Sequence, residues 1–216
     1  MGGRSRGDEK VAYDGLRTHC IRCGTCCKNN PPTLHIQDIS ILKDNIIMYS
    51  DLITYRKGEY IYDNINKKLI NLDEEIVKIK TKGESRECIF YDAKDKSCKI
   101  YESRPIECRM LKCWDNTEFL KFYQKDRVTR FHIIKKDSAM GEIIHEHEKK
   151  TSMDNVLKLY YEYKNTKQDK LRKKINSIIS YDNAVREFIQ QRTGAKKELD
   201  FLFGRPVLEI LKDLGW

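Results

Sequence analysis

Four thiols crowd one short stretch of this chain, HCIRCGTCCKNNPP from His19 to Pro32: Cys20, Cys23, Cys26 and Cys27. Four more follow after a long gap, Cys88, Cys98, Cys108 and Cys113, in the pattern C-x9-C-x9-C-x4-C. The last hundred or so residues carry none. A fold built on this sequence has to satisfy these thiols first. The rest of the chain offers only a modest core, since 39% of residues are hydrophobic and 35% are charged.

The compartment decides how eight cysteines are read. The opening MGGRSRGDEKVAYDG is charged and glycine-rich, with no apolar run of a secretory signal. Gly2 follows the initiator Met, but Arg6 stands where an acylation motif wants Ser or Thr. No run is long and apolar enough to cross a bilayer. The expectation is a cytoplasmic protein, no membrane partner, and thiols kept for metal rather than disulfides.

Spacing narrows the metal chemistry. C-x2-C lets two thiolates turn back toward one centre, and zinc knuckles pair two such units. C-x2-C-x2-C supplies three corners of an iron–sulfur cubane, with the fourth ligand from elsewhere. Cys20, Cys23 and Cys26 fit that role, and Gly24 and Thr25 leave room for backbone N–H groups to approach sulfur. Neighbouring side chains diverge on a helix and on a strand. Cys26 and Cys27 are therefore expected to serve different destinations. A 4Fe-4S cluster is the favoured cofactor, held among Cys20, Cys23, Cys26, Cys27, Cys98 and Cys108. Zinc is the alternative, and all eight cysteines are candidate metal ligands.

The distal cysteines fall in CIFYDAKDKSCKIY, which reads as a hairpin around the polar turn DAKDK. Cys88 and Cys98 would then lie toward opposite ends and need not share a ligand shell. SRPIECRML reads as a helix start, with Ser103 as N-cap and Pro105 in the first turn. The partial positive charge of that helix start would favour a thiolate at Cys108. Arg104 and Arg109 flank it.

Elsewhere, LHIQDISILKDNIIMYS carries Ile36, Ile39, Leu42 and Ile46 at helical spacing. GEYIYDNINKKLINLDEEIVKIKTKG reads as short strands. The second half reads as helices, with stripes Leu171, Ile175, Ile178, Ile179 and Val207, Ile210, Leu211, Leu214. Gly204 and Pro206 punctuate the entry to the last stripe. The fold class is α+β: a small cysteine-rich metal-binding core with short antiparallel strands, then a helical C-terminal part. The division expected is an N-terminal extension 1–18, a cysteine-cluster domain 19–115, and a helical region 116–216 packed on it.

CIRCGTCC followed by CIFYDAKDKSCKIYESRPIECR resembles the CxxCxxCC (YkgJ-type) cysteine-cluster family, a zinc- or iron-chelating domain. The pattern falls on Cys20, Cys23, Cys26, Cys27, Cys88, Phe90, Cys98, Ile100, Tyr101, Arg104, Pro105, Cys108 and Arg109. CRMLKCW departs from the family pattern after CR and adds Cys113. A more distant resemblance is to flagellin lysine N-methylase, which carries the same cysteines with an iron–sulfur cluster. That implies metal or cluster binding, while methylase activity does not follow from cysteines alone.

Other chemistries lack their motifs. There is no G-x-G-x-x-G, no Walker loop and no G-x-S-x-G elbow. The C-x3-C-x2-C spacing of radical SAM enzymes fails, because position 30 is Asn. His145 and His147 are two apart and would not face one another on a helix. His19 reads as a neighbour of the site rather than a ligand. The net charge of +9 and the run KNTKQDKLRKK admit an anionic partner but equally a solvated face. Three functions stay open: an iron–sulfur protein in redox, cluster handling or protein modification; a structural zinc module with a basic helical surface and a protein or nucleic-acid partner; and an N-methyltransferase-like enzyme.

Overall fold

The computed structural model describes residues 19–216. The N-terminal extension, with Gly2 and Arg6, lies outside the described residues. Helix α1 (Thr25–Asn29) carries Cys26 and Cys27. The chain then makes a 3-10 turn at Ile36–Asp38 and helix α2 (Ile39–Lys43). The helical spacing of that stretch thus gives a short helix. Its buried positions are Ile41 and Leu42, Ile47 is buried just beyond it, and Ile36 is exposed.

Strand β1 (Leu52–Tyr55) pairs antiparallel with β4 (Ile76–Ile79), Leu52 opposite Ile79. Between them β2 (Tyr60–Asp63) and β3 (Lys68–Asn71) form a separate hairpin. The strand readings over residues 60–79 hold, while β1, with its non-local partner, was not legible. The pair β1–β4 grows sideways through irregular chain. Leu34 N–H donates to the Val77 carbonyl (2.8 Å), and Val128 N–H donates to the Leu34 carbonyl (2.9 Å). The DAKDK hairpin forms with two residues per strand, β5 (Tyr91–Asp92) and β6 (Ser97–Cys98).

Helix α3 (Ile106–Met110) starts later than SRPIECRML suggests, and Ser103 does not cap it. Its first N–H, on Ile106, donates instead to Asp38 Oδ1 (2.8 Å), a buried carboxylate far away in sequence. Helix α4 (Thr117–Phe122) follows, then α5 (Ala139–Thr151), α6 (Met153–Thr166), α7 (Asp169–Thr193), α8 (Leu199–Phe203) and α9 (Val207–Asp213).

Two apolar clusters hold these elements. One joins Leu52, Val77 and Ile79 of the strands to Ile144, Ile189, Phe201 and Phe203 of the helices. Each such side chain, fully buried, contributes roughly 1.5–3 kcal/mol. The other is all-helical, with Met153, Val156, Tyr160, Ile175, Val207 and Leu211. Both expected C-terminal stripes supply it. Buried arginines tie other parts of the chain to the helices: Arg56, just after β1, donates from Nη1 to Thr151 Oγ1 (2.8 Å), and Arg130, in a 3-10 turn at Arg130–His132, donates from Nη1 to the Leu202 carbonyl (2.8 Å). Gly204 sits at φ +70, and a side chain there would run into Arg56 and the Thr54 carbonyl. The basic run lies on the exposed end of α6 and start of α7. Among the described residues no helix is long and apolar enough to cross a membrane.

Candidate metal centre

Two sequence-distant loops are joined at the thiols by one backbone bond: Cys88 N–H donates to the Cys27 carbonyl (2.8 Å). Cys98 enters from β6 and Cys108 from α3. One cavity of about 960 Å³ is lined by Cys20, Cys26, Cys27, Cys88, Cys98 and Cys108. Cys23 and Cys113 are exposed and do not line it; the Cys23 thiol donates to Thr25 Oγ1 (3.3 Å). All eight are thiols, none in a disulfide.

The expected divergence of Cys26 and Cys27 does not occur. Their sulfurs lie 3.9 Å apart, close to the edge of about 3.8 Å of a tetrahedron of thiolates at 2.3 Å from one ion. The reason is local: Gly24, at φ +77, precedes a helix of five residues, so no long regular helix holds the two side chains apart. Cys88 lies before the hairpin's first strand rather than at its start, and Cys88 and Cys98 are near enough to act on each other and on Cys108. Among the described residues, no three His, Cys, Asp or Glu side chains meet around one ion-sized point. The sulfurs are spread around the cavity wall instead.

Burial and the closeness of the thiols to one another dominate the electrostatics here. Burial pushes the Cys88 thiol up to about 11. Cys27 rises chiefly through its hydrogen bond with Cys26, then through burial and the nearby Cys108 and Cys98. Burial raises Cys98 as well. Cys108 is pushed well above the usual thiol range, first by burial and then by Cys88, Glu107, Cys26 and Cys98. The favourable field of a helix start, expected to draw a thiolate at Cys108, is outweighed. Arg104 acts on Cys98 rather than Cys108. Its guanidinium donates to the Tyr101 carbonyl (2.7 Å) and lies 4.0 Å from the centroid of the Tyr101 ring, where Arg22 also approaches at 5.0 Å.

The surroundings fit a metal on these sulfurs. Three cysteines receive an N–H from two residues further on: Arg22 to Cys20 (3.4 Å), Phe90 to Cys88 and Ile100 to Cys98. Such donors stabilise thiolates. Tyr91 Oη is buried and has no hydrogen-bond partner, at a position that a Gly24 Cβ would strike. The space left by Gly24 is thus taken by a tyrosine hydroxyl, an unspent donor beneath the cysteine loop. Behind Cys108, Thr33 N–H donates to Glu107 Oε2 (2.7 Å), and His35 Nδ1 donates to the Lys125 carbonyl (2.7 Å). These contacts and Asp38 fix α3.

Tyr91, Asp38 and Glu107 escaped the sequence reading. Tyr91 looks like any hairpin aromatic, and nothing local marks Asp38 as a cap for residue 106. The histidines behave as spacing implied: His145 is exposed, while His147 is buried and donates from Nε2 to Asp182 Oδ1 (2.7 Å).

Short strands, a helical second half and a thiol-lined cavity define a cysteine-built metal-binding protein of the α+β class. Residues 19–127 match the CxxCxxCC family model, described as a "putative zinc- or iron-chelating domain". The chain belongs to that family. An uncharacterized protein of Methanocaldococcus jannaschii is 29% identical over 112 residues, covering 50% of this chain and 53% of that protein. The chain therefore spans about half the length of the curated relative it matches. No solved structure matches.

Proposed function

We propose that the chain holds an iron–sulfur cluster of the 4Fe-4S type, with Cys26, Cys27, Cys88, Cys98 and Cys108 as the source of its four thiolates. One observation carries this reading: thiols from α1, the β5–β6 hairpin and α3 surround a shared volume rather than a single point. Cys20 stands at the same cavity and Cys23 beside it in sequence, so the C-x2-C-x2-C reading keeps both as candidates. Cys113 is the least favoured. When bound, such a cluster supplies one-electron chemistry. The chain's part is to give up thiol protons on loading, to offer N–H groups to sulfur from Arg22, Phe90 and Ile100, and to shield the site with Tyr91. Electron transfer, cluster handling or a protein-modifying reaction in the cytoplasm would all use this arrangement.

Zinc is the second reading, and the 3.9 Å spacing of Cys26 and Cys27 favours it. A zinc site would tie the two cysteine loops together and add folding energy to a thin core. The exposed basic run on α6–α7 would then be available to a protein or nucleic-acid partner. A methyltransferase-like activity rests on the distant resemblance alone.

The decisive measurement is the visible absorption and the metal and sulfide content of protein purified without oxygen. Brown protein with iron and acid-labile sulfide is the expected result. Colourless protein carrying stoichiometric zinc would overturn the cluster in favour of the second reading.

A further inference from the structure

The thiols use only part of the cavity they line. Its remaining walls come from the β2–β3 hairpin, the chain around Tyr101 and the region of α4, and they combine two chemistries. The first is aromatic: Tyr60, Tyr62, Tyr101, Trp114, Phe119 and Tyr123 all line the cavity. Tyr60 and Tyr62 are two apart on β2, hence on one face, and are 43% and 51% exposed. The hairpin and α4 are held together across the opening, where Asn66 Nδ2 donates to Tyr123 Oη (3.3 Å).

The second chemistry is cationic. Lys78, Arg86, Arg104, Arg109, Lys112 and Arg127 line the same space. Its carboxylates are Asp63 and Glu107, and Glu107 is already engaged with Thr33 and His35. Arg205, also at the wall, is neutralised by Glu59 and Asp213, and Arg109 reaches the buried Asp38 (4.0 Å). Cations therefore exceed what the wall itself can pair. The whole cavity, thiol end included, measures about 960 Å³, so space for an organic ligand of roughly 300 Å³ or more is left beside the thiols.

We propose that this cavity binds a nucleotide: a planar aromatic ring system carrying phosphate, stacked on Tyr60, Tyr62 and Trp114 with its phosphates on the arginines and lysines. Rings of this kind stack on aromatic side chains whatever their hydrogen-bonding edges, and guanidinium pairs with phosphate through two parallel N–H donors. The sequence has no glycine-rich phosphate loop, so the charged side chains carry the phosphate contact. The ligand would lie beside the thiols, within the same enclosure. The inference goes beyond the metal reading and does not depend on whether iron or zinc is bound.

Trp114 reports on the site directly. The other tryptophan, Trp216, packs against Tyr163 in the distant helical cluster, so a Trp216→Phe chain leaves Trp114 as sole reporter. The full-length, metal-loaded protein is titrated with ADP and with flavin mononucleotide, and separately with adenosine, riboflavin and pyrophosphate, by calorimetry and Trp114 emission. At least one of the two nucleotides should bind and shift Trp114 emission. Its uncharged nucleoside and pyrophosphate should each bind at least about tenfold more weakly. The exposed pair Arg86→Glu and Lys112→Glu should weaken the nucleotide by a similar factor while leaving metal content unchanged. Failure of both nucleotides to bind overturns the proposal. So does pyrophosphate binding as tightly as the nucleotide, or charge reversal without effect. Loss of metal binding with nucleotide binding intact would sink the metal reading and leave this one standing.

Discussion

At the scale of single residues, the doubled cysteine is where local geometry and tertiary geometry part. Adjacent side chains diverge in any long regular element, yet a five-residue helix entered through Gly24 brings the sulfurs of Cys26 and Cys27 to 3.9 Å. Both thiols should therefore serve one centre. Cys26→Ser and Cys27→Ser, made separately, are each expected to abolish the same absorption or metal signal; survival of that signal in either would restore the idea of two destinations. Tyr91 is the second residue of consequence. A buried hydroxyl without a partner is destabilising by about 1–3 kcal/mol. Tyr91→Phe should leave the metal-free chain as stable or more stable in denaturant, and should make the loaded centre lose metal several-fold faster to a chelator. Unchanged release would mean that the hydroxyl does not reach the centre. The cysteines were legible in the sequence because spacing is a local property. The tyrosine was not, because its neighbour Gly24 lies far up the chain.

Among elements, α3 shows how the site is assembled from outside. Its N-terminus is capped by Asp38, whose other oxygen accepts the His35 N–H (3.0 Å). Asp38→Ala leaves one buried and one half-buried N–H without a partner and should cost roughly 2–6 kcal/mol, at about 1–3 kcal/mol each. Because α3 carries Cys108, the same change should weaken metal loading, measured by metal content after dialysis. Full loading in a destabilised chain would show that Cys108 keeps its place without the Asp38 cap. Strand β4 was readable from its alternation, β2 from its strand-forming residues, α7 and α9 from their apolar stripes, and the DAKDK turn from its polar residues. Strand β1 was hidden because LITY gains its meaning only opposite Ile76–Ile79. The helix start at Ser103 was misread because local capping rules cannot see a cap supplied from residue 38.

For the molecule as a whole, the buried network linking α5, α7 and α9 sets the response to pH. Burial holds the His147 imidazole below its ordinary 6.5, against the pull of Asp182. Burial alone would raise the Asp182 carboxyl, but hydrogen bonds from His147, Arg186 and the Val207 N–H outweigh it and hold it below 3.8. In both cases the unfolded chain takes up protons that the folded chain refuses, so acid favours unfolding. The melting temperature should fall as pH drops from about 7.5 through 6.5, the stability changing by up to about 1.4 kcal/mol per pH unit for the single histidine. His147→Gln should flatten the upper part of that fall. A melting temperature that instead rose on acidification from neutral pH would mean that His147 is charged in the fold. The sequence by itself determined the class, the thiols and the helical second half, since spacing, periodicity and turn chemistry act between residues close along the chain. Which sulfurs share a cavity, what caps the helix that carries Cys108, and what fills the space above Gly24 were decided only by tertiary structure. Those contacts join residues tens of positions apart, where spacing along the chain says nothing about distance in space.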